Sequence, residues 1–210
     1  MHDSIIFDMD GTLVNFLKPM LASWNLTCKR YGWDKVIEFE ELKSCMGLNG
    51  HDIGVRLFPD IDEDEATRRV YVCSAEEVEY FDKIEIGPTY IPNEEFLIKL
   101  SQKHKLFIVS NCLEGYIEIF LKKYNFEKYF IDTANAASGI TKAQNIRNLV
   151  EKYDLKTPIY VGDTIKDKES SEEAGVKFVY ASYGFGEVQC DSKIEKLEDL
   201  LNLWETLNLS

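Results

Sequence analysis

Five short runs of β-branched and aromatic residues limit what this chain can fold into. They are SIIFD (Ser4–Asp8), KLFIVS (Lys105–Ser110), KYFID (Lys128–Asp132), PIYVGD (Pro158–Asp163) and VKFVYA (Val176–Ala181). Within each run the apolar residues are consecutive rather than alternating, as in strands covered on both faces of a parallel sheet. The segments between them carry helical spacing, with Ile117, Phe120, Leu121 and Tyr124 on one stripe and Ile146, Leu149, Val150 and Tyr153 on another. TKAQ (Thr141–Gln144) reads as a capping box that opens the second of these helices. A last stripe of Ile194, Leu197, Leu201, Trp204 and Leu207 predicts a docked terminal helix. Strands alternating with helices predict an α/β fold built on a doubly wound parallel sheet.

One connection is too long for that plan. About a hundred residues separate the first run from the second, where a crossover needs only a dozen or more. NEEFLIKLSQKH supplies the expected crossover helix. The remainder has helical stripes of its own, a clear one of Leu17, Met20, Leu21, Trp24, Cys28 and Tyr31 and a weaker one of Val70, Cys73, Glu77 and Phe81. The expected organisation is an α/β core of residues 1–14 and 88–210, with an all-helical insert, residues 15–87, that enters beside Asp10 and leaves near Gly87-Pro88.

In an open parallel sheet, ligands bind beyond the carboxyl ends of the strands. Asp8, Asp10, Gly11 and Thr12 follow the first run, Ser110 and Asn111 the second, and Gly162, Asp163, Thr164 and Asp167 the fourth, while Lys142 opens the helix before that fourth strand. Four acids, a hydroxyl, an amide and a lysine are thus expected at one edge. Two carboxylates about 4 Å apart repel by roughly 4 kcal/mol at an effective dielectric near 20. A hard cation among them offsets that cost, and oxygen-only ligands favour magnesium over zinc. Lysine and hydroxyl would meet the remaining oxygens of a phosphoryl group, so the set suits phosphoryl transfer.

DMDGTLV, VSN, GITK and VGDTIKD, in that order, resemble the motifs of the haloacid dehalogenase superfamily of hydrolases, and most closely its phosphoglycolate phosphatase-like members with a helical cap after the first strand. The resemblance implies that Asp8 is the nucleophile that forms an aspartyl-phosphate. It implies that Asp10 protonates the leaving oxygen and later deprotonates water. Asp8, the backbone carbonyl of Asp10 and Asp163 would hold Mg2+. Ser110, Asn111 and Lys142 would bind phosphate, with Thr12 and Asp167 in support. An Asp at position 10 speaks against carbon–halogen cleavage, since true dehalogenases lack that acid. Asn15 stands where many relatives carry Asp, and no proline follows Lys142.

The expected activity is a magnesium-dependent phosphatase acting on a small phosphorylated metabolite such as phosphoglycolate, a sugar phosphate or a nucleoside monophosphate. A sugar-phosphate mutase of the same family is the nearest alternative, and a phospho-accepting signalling module a more distant one. In MGLNGHD (Met46–Asp52), His51 is a possible substrate contact of the insert, and Arg56, Arg68 and Arg69 could meet a second anionic group. A net charge of -13 argues against nucleic acid or an anionic membrane as partner. Five cysteines without C-x-x-C spacing, no leader pattern and no membrane-length apolar run predict a reduced cytoplasmic protein, a monomer or weak dimer.

Overall fold

The apolar runs become the strands of a six-stranded sheet, all parallel, with spatial order β3-β2-β1-β4-β5-β6. The computed structural model describes residues 2–85, 87 and 89–202. In chain order the strands are β1 (Ser4–Phe7), β2 (Lys105–Val109), β3 (Asp132–Ala134), β4 (Pro158–Gly162), β5 (Lys177–Ala181) and β6 (Lys193–Ile194). The α-helices up to β5 are α1 (Leu17–Arg30), α2 (Phe39–Lys43), α3 (Gly50–Leu57), α4 (Glu63–Lys83), α5 (Glu94–Ser101), α6 (Tyr116–Tyr124), α7 (Lys142–Lys152) and α8 (Ile165–Glu173), and residues 200–202 are helical as well.

Successive side chains of a strand point to opposite faces, and here both faces are buried. Ile5, Phe7, Leu106, Ile108, Ile159, Val161 and Val179 join one core with residues of α1, α4, α5 and α6. Ile6, Phe107, Val109, Tyr160, Phe178 and Tyr180 join a second core with Ile146 and Leu149 of α7. That double burial is why these runs carry no polar alternation. Four helices, α1 to α4, lie between β1 and α5, and the segments leading into and out of them run side by side. Val14 bridges Thr89 in antiparallel fashion, and Tyr90 N–H donates to the Leu13 carbonyl at 2.8 Å. No described helix is long and apolar enough to cross a membrane.

Three sequence expectations need adjusting. Lys128–Phe130 does not enter the sheet, because Glu127–Tyr129 forms a 3-10 turn and β3 begins only at Asp132. Glu94 of α5 holds that turn away from the sheet, accepting from Lys128 Nζ and Tyr129 Oη at 2.7 Å each. Thr141 does cap α7, its hydroxyl accepting from Gln144 N–H at 3.2 Å. The reciprocal half of the box is replaced, since the Gln144 amide donates to Asn148 at 2.9 Å. Ile194, expected in a terminal helix, belongs to the two-residue β6, paired through Ala181. Pro88, Trp204 and Leu207 lie outside the described residues.

Helices α3 and α4 meet backbone to backbone at Gly54, where a Cβ would lie 2.8 Å from the Ala66 carbonyl carbon and the Thr67 nitrogen. Replacing glycine by alanine in an open helix interior stabilises by about 1 kcal/mol. At Gly54 the sign reverses, and Gly54→Ala is expected to destabilise by roughly 1–3 kcal/mol through overpacking. Urea denaturation midpoints of the two proteins check this, and a higher midpoint for the variant would refute the close approach.

Candidate active site

Because β1, β2 and β4 are neighbours and parallel, their carboxyl ends reach the same edge. Asp8 continues the β1 ladder, its N–H donating to Val161 of β4 at 2.8 Å. Ser110 follows β2 and donates its N–H to Ala134 at 3.1 Å. Asp163 follows β4, and Thr164 then caps α8 in a reciprocal box with Asp167. Oδ2 of Asp167 accepts from Thr164 N–H at 2.9 Å and from its hydroxyl at 2.7 Å.

Lys142, the first residue of α7, closes the set. Its Nζ donates to Oδ1 of Asp8 and to Oδ1 of Asp167, each at 2.7 Å, in a site where the lysine is 4% exposed. Tyr160 from β4 lies beneath, its hydroxyl donating to the Val109 carbonyl at 2.8 Å and to Asp167 Oδ1 at 3.3 Å. Burial alone would lower the lysine pKa, but Asp167 and Asp8 together hold it well above the usual value.

Thr12 and the Phe185 backbone fix the remaining acid. Asp163 Oδ1 accepts from the Thr12 hydroxyl at 3.3 Å, and Oδ2 accepts from Phe185 N–H at 2.7 Å. The backbone comes this close only through two glycines. At Gly11, with φ +86°, a Cβ would stand 2.2 Å from Asp163 Oδ2, and at Gly184 one would stand 2.3 Å from the Asp163 Cβ. Asp10 is partly exposed and accepts from the Tyr116 hydroxyl at 3.0 Å.

The charge balance is strongly one-sided. Burial, then repulsion from Asp167, raises the Asp8 pKa, and the same two causes, with Asp8 added, raise that of Asp163. Burial and the charge on Asp8 push Asp10 up to about 7. One lysine faces four carboxyls, so the site as built favours an added cation or bound protons. One oxygen each from Asp8, Asp163 and Asp167 lies within 4.8 Å of the others. Like charges at about 5 Å repel by roughly 3 kcal/mol at an effective dielectric near 20. An all-oxygen donor set of this charge fits a hard divalent ion such as Mg2+.

Asp8, Asp10, Ser110, Asn111 and Lys142 line one cavity of about 90 Å³ together with residues of α1, α2 and α4. Asn111 has a second engagement there, its amide donating to the Gly47 carbonyl at 3.0 Å and so tying the MGLNGHD segment to the sheet edge. His51 is turned away from that cavity. It lies at the surface, 3.2 Å from the Thr67 hydroxyl, because α3 directs it toward α4 and solvent. The sequence reading missed Tyr116, Glu77 and the Tyr183–Phe185 loop. The loop was recognisable by its place after the carboxyl end of β5, as for the other strand ends.

The family of haloacid dehalogenase-like hydrolases matches residues 5–181, and the chain belongs to that family. It is therefore an enzyme of the hydrolase class. The pyrophosphatase PpaX of Bacillus mycoides (strain KBAB4) is 23% identical to it over 218 residues, covering 98% of each chain. The phosphoglycolate phosphatase of Synechococcus elongatus is 24% identical over 189 residues, covering 89% of this chain and 86% of that one. Among solved structures, a predicted phosphoglycolate phosphatase of Haemophilus somnus superposes with a TM-score of 0.81 at 20% identity, over 97% of this chain and 98% of that one.

Removing the site's buried lysine charge tests the charge balance. Lys142→Met leaves Asp8 and Asp167 without a counter-charge, and losing one partner of a buried pair costs about 3–5 kcal/mol. Carboxyls in an unfolded chain ionise near pH 4, and in this variant the Asp8 carboxyl, already raised in the folded protein, lies still further above that because the lowering influence of Lys142 is gone. The deficit should therefore be small below pH 4 and grow as pH rises from there toward the folded Asp8 value. Metal-free urea titrations at acid and neutral pH measure it, and an equal deficit at both would contradict the assignment of charge.

Proposed function

We propose that this hydrolase is a magnesium-dependent phosphatase that splits small phosphate monoesters through an aspartyl-phosphate on Asp8. The single observation carrying the proposal is the buried Lys142 ammonium held between Asp8 and Asp167, with Asp163 beside them at the same edge. In this reading Lys142 and the Ser110 hydroxyl bind the non-bridging oxygens of the phosphoryl group and orient phosphorus toward Asp8. A carboxylate oxygen of Asp8 forms a bond to phosphorus as the ester P–O bond breaks. Asp10, whose raised pKa leaves it protonated part of the time at neutral pH, donates its proton to the departing alcohol oxygen. Asp10 then takes a proton from water as that water attacks phosphorus, breaking the Asp8–phosphorus bond and freeing phosphate.

The Tyr116 hydroxyl positions Asp10 for both proton transfers. Asp8, Asp163 and the Asp10 carbonyl would hold Mg2+, with Asp167 supporting its water shell. The ion, when bound, supplies positive charge against the phosphoryl oxygens. Residues 15–87 act as a cap whose helices close the site from water. The Asn111–Gly47 bond is one of its latches.

Purified protein is expected to release inorganic phosphate from short phosphomonoesters and not to isomerise sugar phosphates, as a mutase would. Asp8→Asn should remove measurable turnover while keeping the folded circular dichroism spectrum. Retained turnover in that variant would take the nucleophile's role from Asp8. Millimolar magnesium should raise the Tm, since free ligand at a hundred times its Kd is worth about 2.7 kcal/mol. Asp163→Asn should abolish the rise. A magnesium-insensitive Tm in the wild-type chain would count against the metal site.

A further inference from the structure

The active-site cavity contains a carboxyl that the hydrolysis above does not use. Glu77 occupies the apolar stripe of α4, is 2% exposed and lines the cavity together with Asp10 and Lys142. Its Oε2 accepts from Trp24 Nε1 at 3.0 Å. Its Oε1 is buried without a hydrogen-bond partner among the described residues. Buried polar oxygens are nearly always paired. Burial, with the Asp10 charge, holds the Glu77 carboxyl well above the usual carboxylate range. The unpaired oxygen on the cavity wall is therefore placed to bond a hydroxyl in either protonation state, or an ammonium that would hold the carboxyl ionised.

The rest of the wall sharpens the point. Around Glu77 it is formed by Met20, Trp24, Leu42, Val70, Val78 and Tyr116. Lys142 is the only lysine, arginine or histidine among the lining residues, and its ammonium is already shared by Asp8 and Asp167. The arginines suggested by the sequence for a second anionic group are engaged elsewhere. Arg68 and Arg69 pair with Glu65, and Arg56 donates to the Ser44 carbonyl. Away from the sheet edge, a second carboxylate or phosphate on the substrate would meet Glu77, the Ser74 side chain and apolar side chains, with no counter-charge. The cavity, about 90 Å³, is also smaller than the roughly 150 Å³ that accepts benzene.

We infer that Glu77 reads the leaving group: the ester hydrolysed here has a short alcohol part that carries a hydrogen-bond donor, hydroxyl or ammonium, and no second anion. The inference rests on the phosphatase reading and narrows its substrate. It separates this chain from an enzyme built for phosphoglycolate or pyrophosphate, although relatives bearing those names match most of its length. Trp24 is a positioning residue in this scheme, since its indole N–H holds Oε2 and so leaves Oε1 toward the cavity.

The test measures kcat/KM with magnesium for four short esters, namely ethanolamine phosphate, hydroxyethyl phosphate, ethyl phosphate and phosphoglycolate, with pyrophosphate as a fifth substrate. A satisfied donor is worth about 10- to 100-fold. The first two esters should exceed ethyl phosphate by about that factor, and phosphoglycolate and pyrophosphate should be the poorest. The two donor esters also distinguish hydroxyl from ammonium. In Glu77→Leu the ratio of hydroxyethyl to ethyl phosphate should fall to near one, and in Glu77→Gln the ammonium ester should lose its rate relative to the hydroxyl ester. A purely structural Glu77 would lower all rates by one factor and leave the ratios alone, which would overturn the inference. If Glu77→Leu does not fold, titrating the wild-type chain with ethanolamine or ethylene glycol replaces it. Saturable change in tryptophan emission, lost in Trp24→Phe and absent with glycolate, is expected, and no change would equally overturn the inference. Phosphate release that favours phosphoglycolate or pyrophosphate sinks this inference alone. No release from any ester sinks the phosphatase reading, and this inference with it.

Discussion

One buried ammonium organises the carboxyl edge of the sheet. Lys142 Nζ binds Asp8, 134 residues away in sequence, and Asp167, 25 residues away, so a single charge fastens the end of β1, the start of α7 and the first turn of α8 together. Its interaction also explains the imbalance around it. One positive charge does not offset Asp8, Asp10, Asp163 and Asp167, and burial, with the repulsion among these acids added, raises the pKa values of Asp8, Asp10 and Asp163. A site assembled this way gains little stability from its ion pairs, because desolvating each charge costs about as much as the pairing returns. Its value is geometric, in that Lys142 holds Asp8 and Asp167 at 2.7 Å each at one sheet edge.

The close approach of backbone to carboxylate depends on residues without side chains. Gly11 and Gly184 leave room for Asp163, and Gly162 leaves room for Asp167, where a Cβ would come within 2.6 Å. Gly47 does the same between the helical insert and the core. At φ +81° its backbone lies against Thr164, and its carbonyl is held by Asn111. The insert is therefore fastened at the rim of the site as well as by its paired ends at Val14 and Thr89. Residues of α1, α2 and α4 and residues of the sheet edge then line the same cavity.

Much of this was legible in the sequence because it follows from local pattern. Runs buried on both faces announced β1, β2, β4 and β5, and the acids that follow β1 and β4 stood out as costly unless gathered around a cation. β3 was misplaced because the aromatic residues Phe126, Tyr129 and Phe130 pack beneath a 3-10 turn rather than in the sheet. β6 is two residues long and leaves no periodicity to read. Glu77 was visible as an acid on an apolar stripe, yet its orientation depends on Trp24, 53 residues distant. His51 stood in a glycine-flanked turn that does reach the core, but it is Gly47 that makes the contact while the histidine faces outward. Which member of a short segment turns inward is set by tertiary packing, and sequence spacing alone does not encode it.

Phosphoryl transfer to Asp8 is the claim on which the functional account turns, and chemical trapping tests it most directly. Enzyme mixed with magnesium and substrate is quenched in acid during turnover, digested, and its peptides are weighed. The account predicts the added mass of one phosphoryl group on the peptide containing Asp8, absent when Asp8→Asn is treated the same way. Turnover with no modified peptide, or a phosphoryl group on any other residue, would contradict it.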